Sequence, residues 1–198
     1  MSIIDISQSI DLGSPVYPGD QPFGVHTCKS QDSCVSDFSM SAHLGTHVDA
    51  PSHLNLGHSI DQIDLTTFIG PCQLIDLTGV EAILPQHLKA VCSERVLIKT
   101  GFCLQATWPT SYPYLTKKAA IFLTDHGVKL LGIDTPSVDP EDSDLPAHRV
   151  LLSSKTVILE NLQLLHAPSG FYRLTALPLK LHGLEASPVR AVLEPLNE

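Results

Sequence analysis

The sequence predicts an α/β domain, rich in strands, with residues 1–198 forming one unit. Three observations carry this reading. Short apolar runs at 72–77, 95–99, 128–133 and 156–159 are bounded by Gly, Pro and polar clusters, as buried strands are. Helix start signals lie between them, at Pro85, Thr116 and Pro146. From Asp37 to Val48 apolar and polar residues largely alternate, the period of a half-buried strand. A chain of 198 residues can enclose a sizeable core, and 43% hydrophobic with 17% charged residues is a globular composition.

Taken in order, residues 3–7 read as a first strand, and residues 14–20 as a turn centred on Pro18-Gly19. The strand over 37–49 follows. Ser59 caps a short helix through Ile63 and Leu65, and residues 68–71 break the chain before the strand at 72–77. Pro85 opens a helix through Val91, and the strand at 95–99 ends in Thr100-Gly101. Residues 102–115 place Trp108, Tyr112 and Tyr114 between prolines, a loop that either covers a pocket or is simply irregular surface. Thr116 caps a helix to His126, with Gly127 as its stop. The run at 128–133 ends in a polar loop containing Asp134 and Ser137, which either support a site or cap the loop. Pro146 begins a helix to Leu152, a strand at 156–159 ends at Glu160-Asn161, and further strands cover 171–181 and 185–193.

Charge and cysteine usage narrow the function. The net charge is −9 and no basic run exists, so nucleic acid and anionic membrane surfaces are poor partners. No apolar run reaches the length of a membrane span. Residues 1–5 lack a basic segment followed by an apolar one, so no signal peptide is expected. Five scattered cysteines, never in C-x-x-C, suit reduced thiols in a cytoplasmic protein better than a zinc site.

The chemistry concentrates at Ser41-Ala42-His43-Leu44-Gly45-Thr46-His47-Val48-Asp49-Ala50-Pro51-Ser52-His53. Two imidazoles and a carboxylate are a usual donor set for zinc or manganese. On an extended strand, His43, Gly45, His47 and Asp49 share one face, and Gly45 lets another group approach the backbone. Gly45, β-branched Thr46 and Val48, and Pro51 argue against a helix. Beyond Pro51 the chain loops, so His53 can turn back towards the same site. Two histidines alone would equally suit partly buried, hydrogen-bonded imidazoles. Asp49 in phase with them, with His53 close behind, tips the reading towards a metal, because these groups are costly to desolvate without one.

H-x-G-T-H-x-D-A-P-x-H resembles the signature of the cyclase-like metal-dependent hydrolases, which include bacterial kynurenine formamidases and isatin hydrolases. The P-V-Y-P-G-D turn and residues 127–140, 146–161 and 176–193 are similar too, so the resemblance covers nearly the whole chain. It implies a swivelling β/β/α fold with a barrel-like core and flanking helices. It also implies His148 and Glu160, twelve positions apart, as metal ligands beside His43, His47 and Asp49. On the residues alone neither stands out.

The resemblance further implies Zn(II), two ions per subunit sharing Asp49, with Mn(II) the other ion these donors accept. The implied reaction, part of tryptophan degradation, is hydrolysis of N-formyl-L-kynurenine to kynurenine and formate by metal-activated hydroxide. His53 is then the general acid and base or, failing that, a further ligand. Tyr17 stands where relatives often carry Trp and either lines the substrate pocket or covers the core. A homodimer and a small aryl amide substrate complete the expectation. Two rivals remain: a cyclic-amide hydrolase of the isatin type on the same site, and a metal-binding protein without catalysis.

Overall fold

A computed structural model describes residues 3–196. Met1 and Ser2, which open the segment read for a signal peptide, lie outside the described residues. In chain order the strands are β1 (Ile4–Asp5), β2 (Gly24–Lys29), β3 (Cys34–Ser39), β4 (His47–Asp49), β5 (Ile69–Asp76), β6 (Ala82–Ile83), β7 (Arg95–Lys99) and β8 (Tyr114–Leu115). They continue with β9 (Leu130–Ile133), β10 (Val157–Glu160), β11 (Gly170–Thr175), β12 (Ala186–Pro188) and β13 (Val192–Pro195). The two helices are α1 (Lys117–Asp125) and α2 (Pro146–Ser153).

Nine strands make one curled, half-barrel sheet in the order β1-β13-β11-β5-β7-β9-β10-β4-β12. Its middle, β5-β7-β9-β10, is parallel, and the flanking pairs are antiparallel. The centres of the parallel strands are apolar because both faces are covered, with polar residues such as Asp76, Arg95, Lys99 and Glu160 at strand ends. Leu97, Leu130 and Leu159 join a core on one face with Phe68, Leu174 and Leu193. Val96, Ile98, Leu131 and Ile158 face a second core with Leu123 of α1 and Leu151 of α2.

The helices begin and end where their caps require. Thr116 Oγ1 accepts from the Ala119 amide, and Gly127, at φ +75°, takes the left-handed turn after α1. Pro146 occupies the first turn of α2.

Several sequence expectations are corrected. The strand read over 37–49 is two strands separated by turns at 41–46, because Gly45 sits at φ +70° and reverses the chain. A side chain at Gly45 would press on Ile10, 2.8 Å away, so the close neighbour of its backbone is the chain itself. Gly70 and Pro71 do not break the chain but lie inside β5, at positions paired only with β11. The β7 ladder starts at Gln73, so Pro71 forfeits no bond to it. The helices expected after Ser59 and Pro85 shorten to 3₁₀ turns at Ile60–Gln62 and Pro85–Leu88. The strand expected over 171–181 stops at Thr175. The tail strand over 185–193 splits at Pro188, where β12 leaves β4 and the chain crosses to pair β13 with β1 and β11. The hairpin β2–β3, exposed along almost its whole length, was not expected: no clear period marks Gly24–Lys29.

Gly132 lies where β9 runs between β7 and β10. A Cβ there would meet Leu97 Cδ2 at 2.4 Å and Leu162 Cδ1 at 2.9 Å. Gly132→Ala is therefore expected to lower unfolding free energy by about 1–3 kcal/mol through overpacking. Urea denaturation checks this, and an unchanged midpoint would mean the core has slack there.

Candidate metal centre

Three parts of the fold converge on one buried carboxylate. Asp49, fully buried, ends β4. His47 is two residues earlier on the same strand and therefore on the same face. The antiparallel register of β10 sets Glu160 directly opposite His47. His148 enters from the first turn of α2. His43 comes from the turn before β4, and His53 from the 3₁₀ turn Pro51–Leu54 after it. Thr46 ties the turn before β4 to the end of β10 and to the N-terminal segment. Its hydroxyl donates to the Asn161 carbonyl at 2.6 Å and accepts from the Gln8 amide at 2.8 Å.

The distances describe a compact donor set. Asp49 Oδ1 lies 3.0 Å from His43 Nδ1 and 3.4 Å from His47 Nε2. Asp49 Oδ2 lies 3.5 Å from His148 Nε2. Glu160 reaches His47 Nε2 at 3.5 Å and His148 Nε2 at 3.4 Å. The ring of His53 stands 4.6 Å from that of His43 and 5.8 Å from that of His148. Two ligand groupings emerge, His47-Asp49-Glu160 and His43-Asp49-His53, and Asp49 belongs to both.

The far nitrogen of each of three histidines is backed by an acceptor. His47 Nδ1 donates to the Gly45 carbonyl at 2.9 Å. His148 Nδ1 donates to Asp139 Oδ2 at 2.8 Å. His43 turns Nε2 to Glu185 Oε1 at 3.3 Å. A carbonyl can only accept, so His47 must carry its proton on Nδ1, and Nε2 points its lone pair at two carboxylates. Such outer acceptors orient imidazoles around metals. Asp139 also accepts from the Ala147 and His148 amides at 2.8 and 2.9 Å, which anchors α2 and its histidine together.

These donors need a cation between them. Neither Asp49 oxygen and not His47 Nε2 receives a hydrogen bond of good geometry, although all are buried. Burial alone would push the His47 and His148 pKa values down. Asp49 and Glu160 overcome it and lift both to about 10. Burial likewise raises the Asp49 carboxyl, but His43 and His47 hold it well below the usual carboxylate range. Without a metal the site would hold protons in its place, so uptake of a metal must expel them. Nitrogen and oxygen donors in this number fit a divalent transition ion. His53 differs: burial and the neighbouring His43 and His148 push its pKa down, leaving a neutral imidazole.

The centre forms the floor of a cavity of about 540 Å³. Tyr17, Trp108, Tyr112 and Ser137 lie on its walls, so the aromatic loop does face a pocket, although Tyr114 does not line it. Tyr17 and Trp108 meet edge to face at 5.5 Å. Asp134 is drawn elsewhere: it accepts from the Thr100 amide and hydroxyl and the Gly101 amide, pinning that loop. Sequence reasoning missed Asp139, Glu141 and Glu185 on this site. Asp139 lies in the D-T-P-S-V-D run, but no spacing links it to a histidine nine residues on.

Comparison with known proteins agrees with this geometry. The cyclase family model matches residues 4–140, and the chain belongs to that family. Within it, the chain is 42% identical to the kynurenine formamidase of Geobacillus thermodenitrificans, over 98% of each chain. It superposes with a TM-score of 0.86 on a structure described as a predicted metal-dependent hydrolase from Bacillus stearothermophilus. That structure is 32% identical, with 97% of each chain covered. Isatin hydrolase A of Labrenzia aggregata shares the fold, with a TM-score of 0.82 at 22% identity over 97% of this chain and 93% of that one.

Asp139→Asn keeps only one of the two oxygens that receive the Ala147 amide on one side and the His148 amide and ring on the other, and no longer holds the His148 proton by charge. It is expected to weaken metal affinity about 10- to 100-fold. Competition with a chromophoric zinc chelator measures this, and unchanged affinity would mean His148 needs no backing.

Proposed function

We propose that this protein is a metal-dependent kynurenine formamidase, hydrolysing N-formyl-L-kynurenine to L-kynurenine and formate. The observation that carries the reading is the buried Asp49, shared by three imidazoles and opposed by Glu160, under an aromatic-walled cavity. The identity to a kynurenine formamidase along almost the whole chain supplies the substrate class.

His43, His47, Asp49, His148 and Glu160 would hold the metal, and Asp49 belongs to both candidate ligand groupings. Zn(II) suits these donors, and Mn(II) is the other candidate. When bound, the metal lowers the pKa of its water to about 7 and polarises the formyl oxygen. His53 has the proton work. Its neutral imidazole removes a proton from the attacking water and returns it to the aryl nitrogen as the carbon–nitrogen bond breaks. Without that proton an anilide would have to leave. Tyr17 and Trp108, packed edge to face on each other in the cavity wall, supply the aromatic surface for the aryl ring.

The finer features follow the same reading. The fold is of the swivelling β/β/α type in a single domain. Exposed Val25 and Phe38, paired across the β2–β3 hairpin, support a homodimer. Free cysteines, four of five exposed, suit the cytoplasm. No helix among the described residues is long and apolar enough to cross a membrane.

The direct test is formate release from N-formyl-L-kynurenine before chelation, after it, and with Zn(II) or Mn(II) restored. Turnover that chelation does not touch would overturn the metal assignment. His47→Ala is expected to lose metal and turnover together. His53→Ala should keep its metal and lose about 100- to 10,000-fold in turnover. If it loses the metal instead, His53 is a ligand.

The pH profile gives an independent check. Because the His53 pKa is lowered from 6.5, the base form persists to lower pH than in an ordinary histidine. With metal in excess, kcat/KM should fall on the acid side with its inflection below pH 6.5, and in His53→Ala the inflection should move up towards about 7, the ionisation of the metal-activated water.

A further inference from the structure

The cavity is strongly one-signed. Five carboxylates line it, Asp20, Asp49, Glu141, Glu160 and Glu185, and no lysine or arginine does. Asp49 and Glu160 belong to the metal centre. Asp20 accepts from Ser41 Oγ at 2.8 Å, and Glu185 faces His43. Glu141 is placed differently. It stands on the aromatic wall, where Trp108 Nε1 donates to its Oε2 at 3.0 Å and Tyr112 Oη donates to the same oxygen at 3.2 Å. No described residue donates to Oε1.

This arrangement fixes the carboxylate without neutralising it. An indole N–H and a phenol are neutral donors, so the negative charge remains. Burial, with Glu141 and Glu160 close by, pushes the Tyr112 hydroxyl pKa up, so it stays a donor at any working pH. Both donors sit on one oxygen and hold the rotamer, so the other is ready for a ligand donor at little entropic cost. The substrate class bears an α-ammonium and an α-carboxylate at the far end of its side chain. Away from the imidazoles and metal of the floor, the walls carry no cationic side chain, so a charged group on the wall can pair only the ammonium.

Resting on the formamidase reading, we propose that Glu141 is the specificity-determining residue that binds the substrate's α-ammonium through Oε1. The α-carboxylate takes no charged partner from the cavity walls. The enzyme therefore selects formylated aryl amines that carry a cationic side chain, and the carboxylate is dispensable.

Three substrates test this: N-formyl-L-kynurenine, its decarboxylated analogue that keeps the ammonium, and its deaminated analogue that keeps the carboxylate. For the natural protein, kcat/KM on the decarboxylated compound should stay within about threefold of the parent. On the deaminated compound it should fall about 10- to 100-fold, the worth of a charge-assisted hydrogen bond. Glu141→Gln should lose a similar factor on both ammonium-bearing substrates, mainly in KM, and nothing further on the deaminated one. A residue that merely pinned Trp108 and Tyr112 would slow all three alike.

Equal loss on all three substrates, or a natural enzyme that prefers the deaminated compound, overturns the assignment and leaves the formamidase reading standing. The substrate series needs no variant, so it decides even if Glu141→Gln fails to fold. Formate release from none of the three overturns the formamidase reading itself, and the Glu141 assignment with it.

Discussion

Asp49 is the group on which the rest of the site depends. A carboxylate with no exposed surface is unfavourable by itself, and its two oxygens here receive no well-directed hydrogen bond. It persists because His43, His47 and His148 surround it, and because those imidazoles are turned by acceptors behind them. The Gly45 carbonyl, Asp139 and Glu185 decide which nitrogen faces inward. Inward-facing lone pairs and carboxylates repel unless a proton or a metal stands between them, so metal uptake at this centre would be coupled to proton release.

The curled sheet makes that arrangement rigid. β4 is held between β10 and β12, so both flanks of the His47–Asp49 segment are hydrogen-bonded. Glu160 arrives by register alone, opposite His47. α2 is packed on the second core through Ala147, Leu151 and Leu152, which fixes His148 from the other side. Precision at a metal site follows from placing ligands on regular elements whose backbones cannot drift.

Above the metal floor the cavity separates two recognition tasks. Aromatic side chains on the turn at Tyr17 and the loop at 102–115 line one part of it, the part proposed to meet the aryl ring, and carboxylates line the rest, proposed to set the charge a substrate carries. The net charge of −9 extends this preference to long range, favouring the approach of cations over anions. Glu141 links the tasks, since the aromatic residues that hold it also form the wall.

Much of this was legible in the chain. His47 and Asp49 alternate, so any strand there puts them on one face. The caps at Thr116 and Pro146 located both helices, because capping is a local hydrogen-bond requirement. His148 and Glu160 stood out only through the resemblance, since one histidine in a helix and one glutamate at a strand end carry no pattern. Other features were decided by tertiary structure. The positive φ at Gly45 took His43 off the strand and brought it to Asp49 around a turn. Asp139, Glu141 and Glu185 joined the site through loops packed on the sheet, at separations no local rule encodes. Spacing and composition determine what lies within a few residues along the chain. Which distant carboxylate backs which imidazole is settled by how the sheet curls and which loop it leaves nearby.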